Sequence, residues 1–374
     1  MDITAIIAEF NPFHNGHSAL LKKIKIENPQ SIITVIMSGS FVQRGLPAII
    51  DKWSRAEAAL KNGADLILEL PYFISASPAR DFSEGAVRIA EFFGANTLAF
   101  GSETGDLSLL KRASEVSLEF GERHSEILRR KRLGYSYSES MLEILSEKIP
   151  NVIKGSNDIL AIEYIRTILL NDFKIKPVAI KREEEKNYLS ASSIREKILS
   201  YDFFSVKKNL PENSLKAIKK YSRFPTLEYY FPNLIYLITA TPKEKLYEIY
   251  TARDDLVNSV SKARKNFSSV PEIIAAANKK NRSVSMLCRF FLNLLIGLTK
   301  EKAKMLKGEE VVFRVLGANK KGFMALKNKN AVVKFKNKNS KVLELEKLAT
   351  DLYYLAVDGS INRDLTTSPI IIDA

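Results

Sequence analysis

"EFNPFHNGHSALL", residues 9–21, follows the apolar run "DITAIIA" (2–8) and carries two of the three histidines in the chain. The apolar run reads as a buried strand and the periodic residues of 16–27 as a helix, so the quoted stretch is a strand-to-helix junction. The helix starts near Asn15 or Gly16. In an open parallel sheet, ligands bind beyond the carboxyl ends of the strands. A helix N-terminus at that place attracts phosphate through backbone N–H groups and the helix dipole. Gly16 lets a nucleotide lie against the backbone where a side chain would block it. His14 and His17, three residues apart, can face one ligand from the first helical turn. Imidazole donors meeting the charge that builds during attack on an α-phosphorus are worth about 2.7–4 kcal/mol each in a transition state. These residue types suit nucleotidyl transfer, where positioning and charge stabilisation do most of the catalysis. An H-x-x-H pair also suits a metal, but zinc needs a third ligand. The remaining histidine, His124, lies in "FGERHSEILRR" (120–130) and reads as a solvated helix residue. No metal site built from protein side chains is expected.

Outward from this junction, the first two hundred residues alternate short Ile-, Leu- and Val-rich runs with helical patterns. The runs are 2–8, 31–38, 64–70, 95–101 and 176–181; helices are expected at 16–27, 52–62 and 82–93, and residues 105–170 read as largely helical. Such alternation predicts an α/β, Rossmann-like parallel sheet covered on both faces. After about residue 200 the texture changes to helical segments punctuated by Pro211, Pro225, Pro232, Pro242 and Pro271. Short strands at 310–317 and 330–336 and a helix at 341–357 follow. Two domains are therefore expected: 1–200, binding the nucleotide, and a basic, mostly helical α+β extension, 201–374.

The chain has 374 residues, 57 Lys and Arg against 43 Asp and Glu, and a formal charge of +14. That balance points to a polyanionic partner such as RNA. The N-terminus shows no basic region before a long apolar core, and the run "MLCRFFLNLLIGL" (286–298) is short for a bilayer and contains Arg289. A cytoplasmic location without membrane attachment is expected. The one cysteine, Cys288, excludes an internal disulfide.

Other segments fall at the same sheet edge. "SGSFVQRG" (38–45) follows the second strand, and its Arg44, with Lys52 and Arg55 beyond, is a candidate for β- and γ-phosphate, pyrophosphate or RNA phosphate. "FGSE" (100–103) ends the fourth strand, where Gly101 permits close approach of an adenine or ribose. Asn157 in "SNDILAIEY" (156–164) reads as a helix cap. "SASSIR" (190–195) brings hydroxyls, helix-start amides and Arg195 together as a phosphate cradle. Aromatic and basic residues interleave from 201 on, as single-stranded RNA binding requires; Lys320, Lys321, Lys334 and Lys336 are individual candidates.

"HNGH" after the first strand resembles the H-x-G-H signature of the nucleotidyltransferase superfamily. The string "AEFNPFHNGH" resembles one family within it, the bacterial tRNA(Met) cytidine acetate ligases. "MSGSFVQRGLPAIIDKWSRAEAAL" (37–60), "GADLILELP" (63–71), "FGSETGD" (100–106), "SNDILAIEY", "SASSIR" and "FRVLGANKKGFMALK" (313–327) are similar to that family in the same order. The resemblance implies an ATP site formed by Ile7, Ala8, Glu9, Phe10, Asn11, Pro12, Phe13, His14, Asn15, Gly16, His17, Ser18, Ala19 and Leu20, with Gly101, Asn157, Arg182, Ser193 and Arg195. Where the family tends to have a glycine soon after the arginine matching Arg182, this chain has Glu183 to Glu185. It further implies that ATP, with Mg²⁺ accompanying it, activates acetate as acetyl-adenylate. Acetyl transfer to the wobble cytidine of elongator tRNA(Met) would then give N4-acetylcytidine. The alternatives are a small-molecule adenylyltransferase of the coenzyme-synthesis type and a non-catalytic RNA-binding protein that retains a nucleotide pocket. Oligomeric state is not legible.

Overall fold

The computed structural model describes residues 1–374 except 122–123, 133–134, 136, 151, 183–188, 263–266, 279–282, 328, 336–339 and 374. Its centre is an eight-stranded sheet. Strand β1 (Ile3–Ala8) pairs in parallel with β2 (Ile32–Ser38). After a small hairpin of β3 (Phe41–Val42) and β4 (Leu46–Pro47), β5 (Leu66–Leu70) adds in parallel to β2. The chain then crosses to the other side of β1, where β6 (Thr97–Ser102) and β7 (Lys176–Lys181) extend the sheet. Burial on both faces explains why β1, β2, β5 and β6 are continuous apolar runs and not alternating ones, whereas the edge strand β7 is mostly half-buried. These five strands fall on the five runs expected of the first two hundred residues.

The strand order reverses between β1 and β6, and the sheet opens there. β1 pairs with β2 along its length, from Ile3↔Ile32 to Ala8↔Met37. Against β6 it pairs only at Thr4↔Thr97 and Ala5↔Leu98, whereas β6 stays paired with β7 as far as Ser102↔Lys181. Beyond Ala5 the two strands part, leaving a crevice at their carboxyl ends, the place where ligands bind in open α/β sheets.

The helices flank this sheet. α1 (Asn15–Glu27) follows β1 and buries Ser18, Leu21 and Ile24, while α2 (Lys52–Lys61) precedes β5. Past residue 200 the helices are shorter than the pattern predicts. The expected span 203–222 divides into Phe203–Val206 and Glu212–Ile218, with Pro211 capping the second. Pro242 caps Lys243–Glu248, and Pro232 and Pro271 fall in the first turns of Phe231–Ala240 and Val270–Ala277. Proline is tolerated there because first-turn amides lack an intrahelical acceptor.

The change of texture near residue 200 does not separate the sheet from the rest. β8 (Phe313–Ala318) pairs antiparallel with β5; β9 (Ala331–Val332) and β10 (Ile370–Ile371) pair in parallel with β8. Segment 309–374, expected within a C-terminal extension, instead completes the N-terminal sheet by covering the β5 edge. The apolar run 286–298 forms the buried helix Val284–Ile296, which stops at left-handed Gly297. Among the described residues no helix is long and apolar enough to cross a membrane.

Candidate active site

The junction after β1 is built around two stacked imidazoles. Phe10, held at φ 47, packs edge-on against Phe13 with ring centroids 4.8 Å apart, and His17 lies 4.8 Å from Phe10 and 5.6 Å from Phe13. Left-handed backbone is unfavourable for a phenylalanine, so this contact cluster is what holds it there. The His14 and His17 rings stack with centroids 3.7 Å apart. His14 caps α1: its Nδ1 accepts the Gly16 N–H at 3.1 Å, while His17 Nδ1 accepts the His14 N–H at 3.2 Å. A Cβ on Gly16 would lie 3.0 Å from His14 Cε1, so this glycine makes room for the histidine ring.

These two bonds fix the tautomers. With both Nδ1 atoms accepting, the proton of each neutral ring sits on Nε2, leaving an Nε2–H donor on each histidine. Burial, then the charges of Arg182 and Arg195, push His14 from its usual 6.5 down to about 4. Burial, then His14 and Arg182, hold His17 well below its usual value. Both rings are neutral at physiological pH. The helix start is less open than its sequence implies, because the His17 and Ser18 amides already donate to the His14 carbonyl. The donors on offer are imidazole N–H groups more than backbone ones.

Arginines line the same edge. Arg182 follows β7, its N–H donating to the Ser102 carbonyl at 2.9 Å, and its exposed side chain passes over Gly101 of β6. Arg195 lies in helix Ala191–Leu199, where Ser190 Oγ caps the Ser193 N–H at 3.1 Å. Its Nη1 donates to the Asn11 carbonyl at 2.9 Å, so this helix is tied to the first loop. Burial lowers Arg195; Glu9 opposes the shift and Arg44 adds to it. Glu9 Oε1 accepts the Gln43 N–H at 2.9 Å, joining the loops after β1 and β2. Asn15 Nδ2 donates to the Lys208 carbonyl at 2.9 Å, which brings residues beyond 200 to the same place.

Several expected ligands have other work. Lys52 is fully buried: Nζ donates to Glu69 at 2.7 Å and to Thr350 Oγ1 at 3.0 Å, and pairs with Asp364 at 2.8 Å. Burial lowers its pKa, but Asp364, Glu69 and Glu346 outweigh that and the net shift is upward. Arg55, also fully buried, donates to the carbonyls of Ile50, Glu9 and Ser38 at 3.1, 2.6 and 2.9 Å, and to that of Gly39. Neither is free to meet a phosphate or an RNA. Asn157 is not a cap: Gly155 holds that position, and Asn157 Nδ2 donates to Glu103 Oε1 at 2.5 Å. Glu103 also accepts the Asp158 amide at 3.0 Å, a role visible only once β6 and this helix are seen side by side. Ser18 turns to Asn62, the C-cap of α2, at 3.2 Å, Leu20 packs on the core and Ala19 is exposed. Ile7 and Pro12 are buried and Ala8 is half-buried, supporting the edge. Lys321 donates to the Ser31 carbonyl at 2.8 Å, and Lys320 adjoins it, at the amino ends of the strands, opposite the crevice. Lys334 is exposed; Lys336 and Glu183 to Glu185 lie outside the described residues. His124 caps its own helix, its Nδ1 accepting the Glu126 N–H at 3.2 Å. Arg44 is exposed and makes no ion pair among the described residues.

The model of the HIGH Nucleotidyl Transferase family matches residues 1–367. A tRNA(Met) cytidine acetate ligase of Clostridium perfringens is 34% identical, over 99% of this chain and 100% of the relative. One of Clostridium kluyveri is 34% identical over the whole of both chains. This chain belongs to the tRNA(Met) cytidine acetate ligase family. The crystal structure of Thermotoga maritima TmcAL bound with alpha-thio ATP superposes over all of both chains with a TM-score of 0.89 at 26% identity. The apo form of that protein superposes equally well at 24% identity, which bears on the fold. For an acetate ligase of this family, the α/β nucleotidyltransferase fold and the family resemblance carried by "AEFNPFHNGH" both stand.

Proposed function

We propose that this chain joins acetate to a cytidine of tRNA(Met) at the expense of ATP, with the nucleotide in the crevice between β1 and β6. The observation that carries the reading is the histidine pair: both Nδ1 atoms engage backbone amides, and both Nε2–H groups are left as fixed, uncharged donors. A carboxylate oxygen of acetate attacks the α-phosphorus, and the bond to the bridging oxygen breaks. Pyrophosphate leaves with that electron pair. His14 and His17 donate to the α-phosphate oxygens as charge accumulates, at no cost of reorientation because the capping bonds hold the rings. Arg182 and Arg195 attract the triphosphate, and Ser193 supports that cradle. Mg²⁺ enters with ATP. In the second step the exocyclic amine of the cytidine attacks the acetyl carbonyl carbon, the bond to the phosphate oxygen breaks, and AMP leaves. The amine loses its proton to solvent. No nucleophile of the chain is required.

The location in the cytoplasm follows from the substrate. Pyrophosphate release measured with and without acetate and tRNA(Met), with the tRNA product assayed for N4-acetylcytidine, tests the reading. Acetate-dependent release is expected, with acetylated cytidine formed when tRNA is present. Release indifferent to acetate would indicate a small-molecule adenylyltransferase, and no release a binding protein.

A further inference from the structure

The loop after β2, tied to Glu9 of the candidate nucleotide site, also borders a second opening. Arg44 and Leu46 of that loop, with Leu227, Val270, Ile274 and Val284, line an open cavity of about 540 Å³. The loop backbone is pinned on both sides. Glu9 accepts the Gln43 N–H, Arg289 Nη1 donates to the Gln43 carbonyl at 3.0 Å, and Gly45, at φ +73, sits against the backbone of Cys288 and Arg289, where a Cβ would collide. Arg44 therefore lines the cavity from a loop whose backbone is tied to Glu9 of the first loop and to Arg289. Thr226 and Glu228 form another part of the cavity wall. Glu228 Oε2 accepts the Val270 N–H at 2.9 Å, while Oε1 makes no hydrogen bond among the described residues. The chain leading to this lip is cationic: Lys219 and Lys220 are exposed and make no ion pair among the described residues, and the Arg223 guanidinium lies 5.2 Å from the ring of half-exposed Tyr229.

We propose that this cavity receives the unpaired pyrimidine that is acetylated, with the flanking phosphates of the RNA along Lys219, Lys220 and Arg223. This rests on the acetate ligase reading. Aliphatic walls suit the faces of a base, and a free carboxylate oxygen accepts from the exocyclic amine of cytosine. The neighbouring cations neutralise the phosphates that come with it.

Val284→Trp and Ile274→Trp fill the cavity, and Val284 is 47% exposed, so the first change leaves the core intact. Acetate-dependent ATP–pyrophosphate exchange without tRNA is expected to stay at the wild-type rate and reports that the protein is folded. The kcat/KM for tRNA(Met) acetylation is expected to fall about tenfold or more, as loss of one base contact predicts. Wild-type acetylation by a variant with full exchange activity would overturn the proposal. So would sedimentation showing that Val284→Trp splits a dimer while acetylation is unaltered, since the cavity would then belong to a second copy of the chain. Should the wild type itself lack acetate-dependent exchange, the ligase reading fails. Equilibrium binding of tRNA(Met) then decides for the cavity: about tenfold weaker binding by Val284→Trp supports it, and equal binding overturns it.

Discussion

In the proposed reaction His14 and His17 act through their ε nitrogens, because their δ nitrogens accept backbone N–H groups at the helix start. His14→Ala and His17→Ala should each lower acetate-dependent pyrophosphate exchange by about 10²–10³-fold, the usual loss for one fixed donor. Binding of tRNA(Met), measured by filter retention, should not change. The buried neutral state of His14 also has a stability consequence. Its folded pKa, about 4, lies below the usual 6.5, so the unfolded chain binds the proton more readily. Stability is therefore constant above about pH 6.5 and declines as pH falls toward about 4, by on the order of 3 kcal/mol from this group. Denaturant titrations of wild type and His14→Asn across that range should show the smaller slope in the variant. At this scale the sequence was a good guide to the pair and a poor one to its tautomers. The motif places two imidazoles on one turn, but the His14–Gly16 and His17–His14 bonds depend on backbone angles that no motif states. Gly16 illustrates the same limit, since its neighbour is the His14 ring.

The elements around the site are held by charges that read as phosphate ligands in one dimension. Lys52 and Arg55 lie in "DKWSRAEAAL", an unremarkable amphipathic helix, and both are fully buried. Their partners are far away in the chain: Lys52 meets Thr350 and Asp364, and Arg55 gathers the carbonyls of Glu9, Ser38 and Gly39. Lys52→Met should cost about 3–5 kcal/mol in chemical denaturation, because Glu69 and Asp364 lose their cation in a buried place. A phosphate ligand on the surface would behave differently, with stability within about 0.5 kcal/mol of wild type and affinity reduced. Strands β1, β2, β5 and β6 were legible because burial on both faces makes each an apolar run. The helix breaks after residue 200 were less so, since Pro211 and Pro242 act as caps whose exact place depends on packing. Asn157 was misread as a cap for the same reason: the carboxylate that secures this helix comes from Glu103, on another element.

On the scale of the molecule, the last sixth of the chain completes the sheet of the first two hundred residues. β8 pairs with β5 over Leu66↔Ala318 to Leu68↔Val315, and Asp364 and Thr350 bond to Lys52. A fragment of residues 1–200 exposes the β5 edge and strands Lys52 beside Glu69 alone. It should lack the cooperative thermal transition of the full chain, as followed by near-ultraviolet circular dichroism. A fragment that melts cooperatively would show that the first two hundred residues fold unaided. The return of residues 313–318 to the sheet was hidden because a short apolar strand carries no mark of its partner. The charge of +14 was legible as a total, and its distribution was not: Lys321 is committed to the Ser31 carbonyl, while Arg44, Lys219 and Lys220 are exposed on the side chains' own terms.

The central claim is that a nucleotide enters where β1 and β6 part and is met there by two neutral histidines. A crystal structure of the protein with a non-hydrolysable ATP analogue tests it most directly. The α-phosphate oxygens are expected within about 3 Å of Nε2 of both His14 and His17. A nucleotide bound away from the crevice, or imidazoles that turn their ε nitrogens from the phosphate, would contradict it.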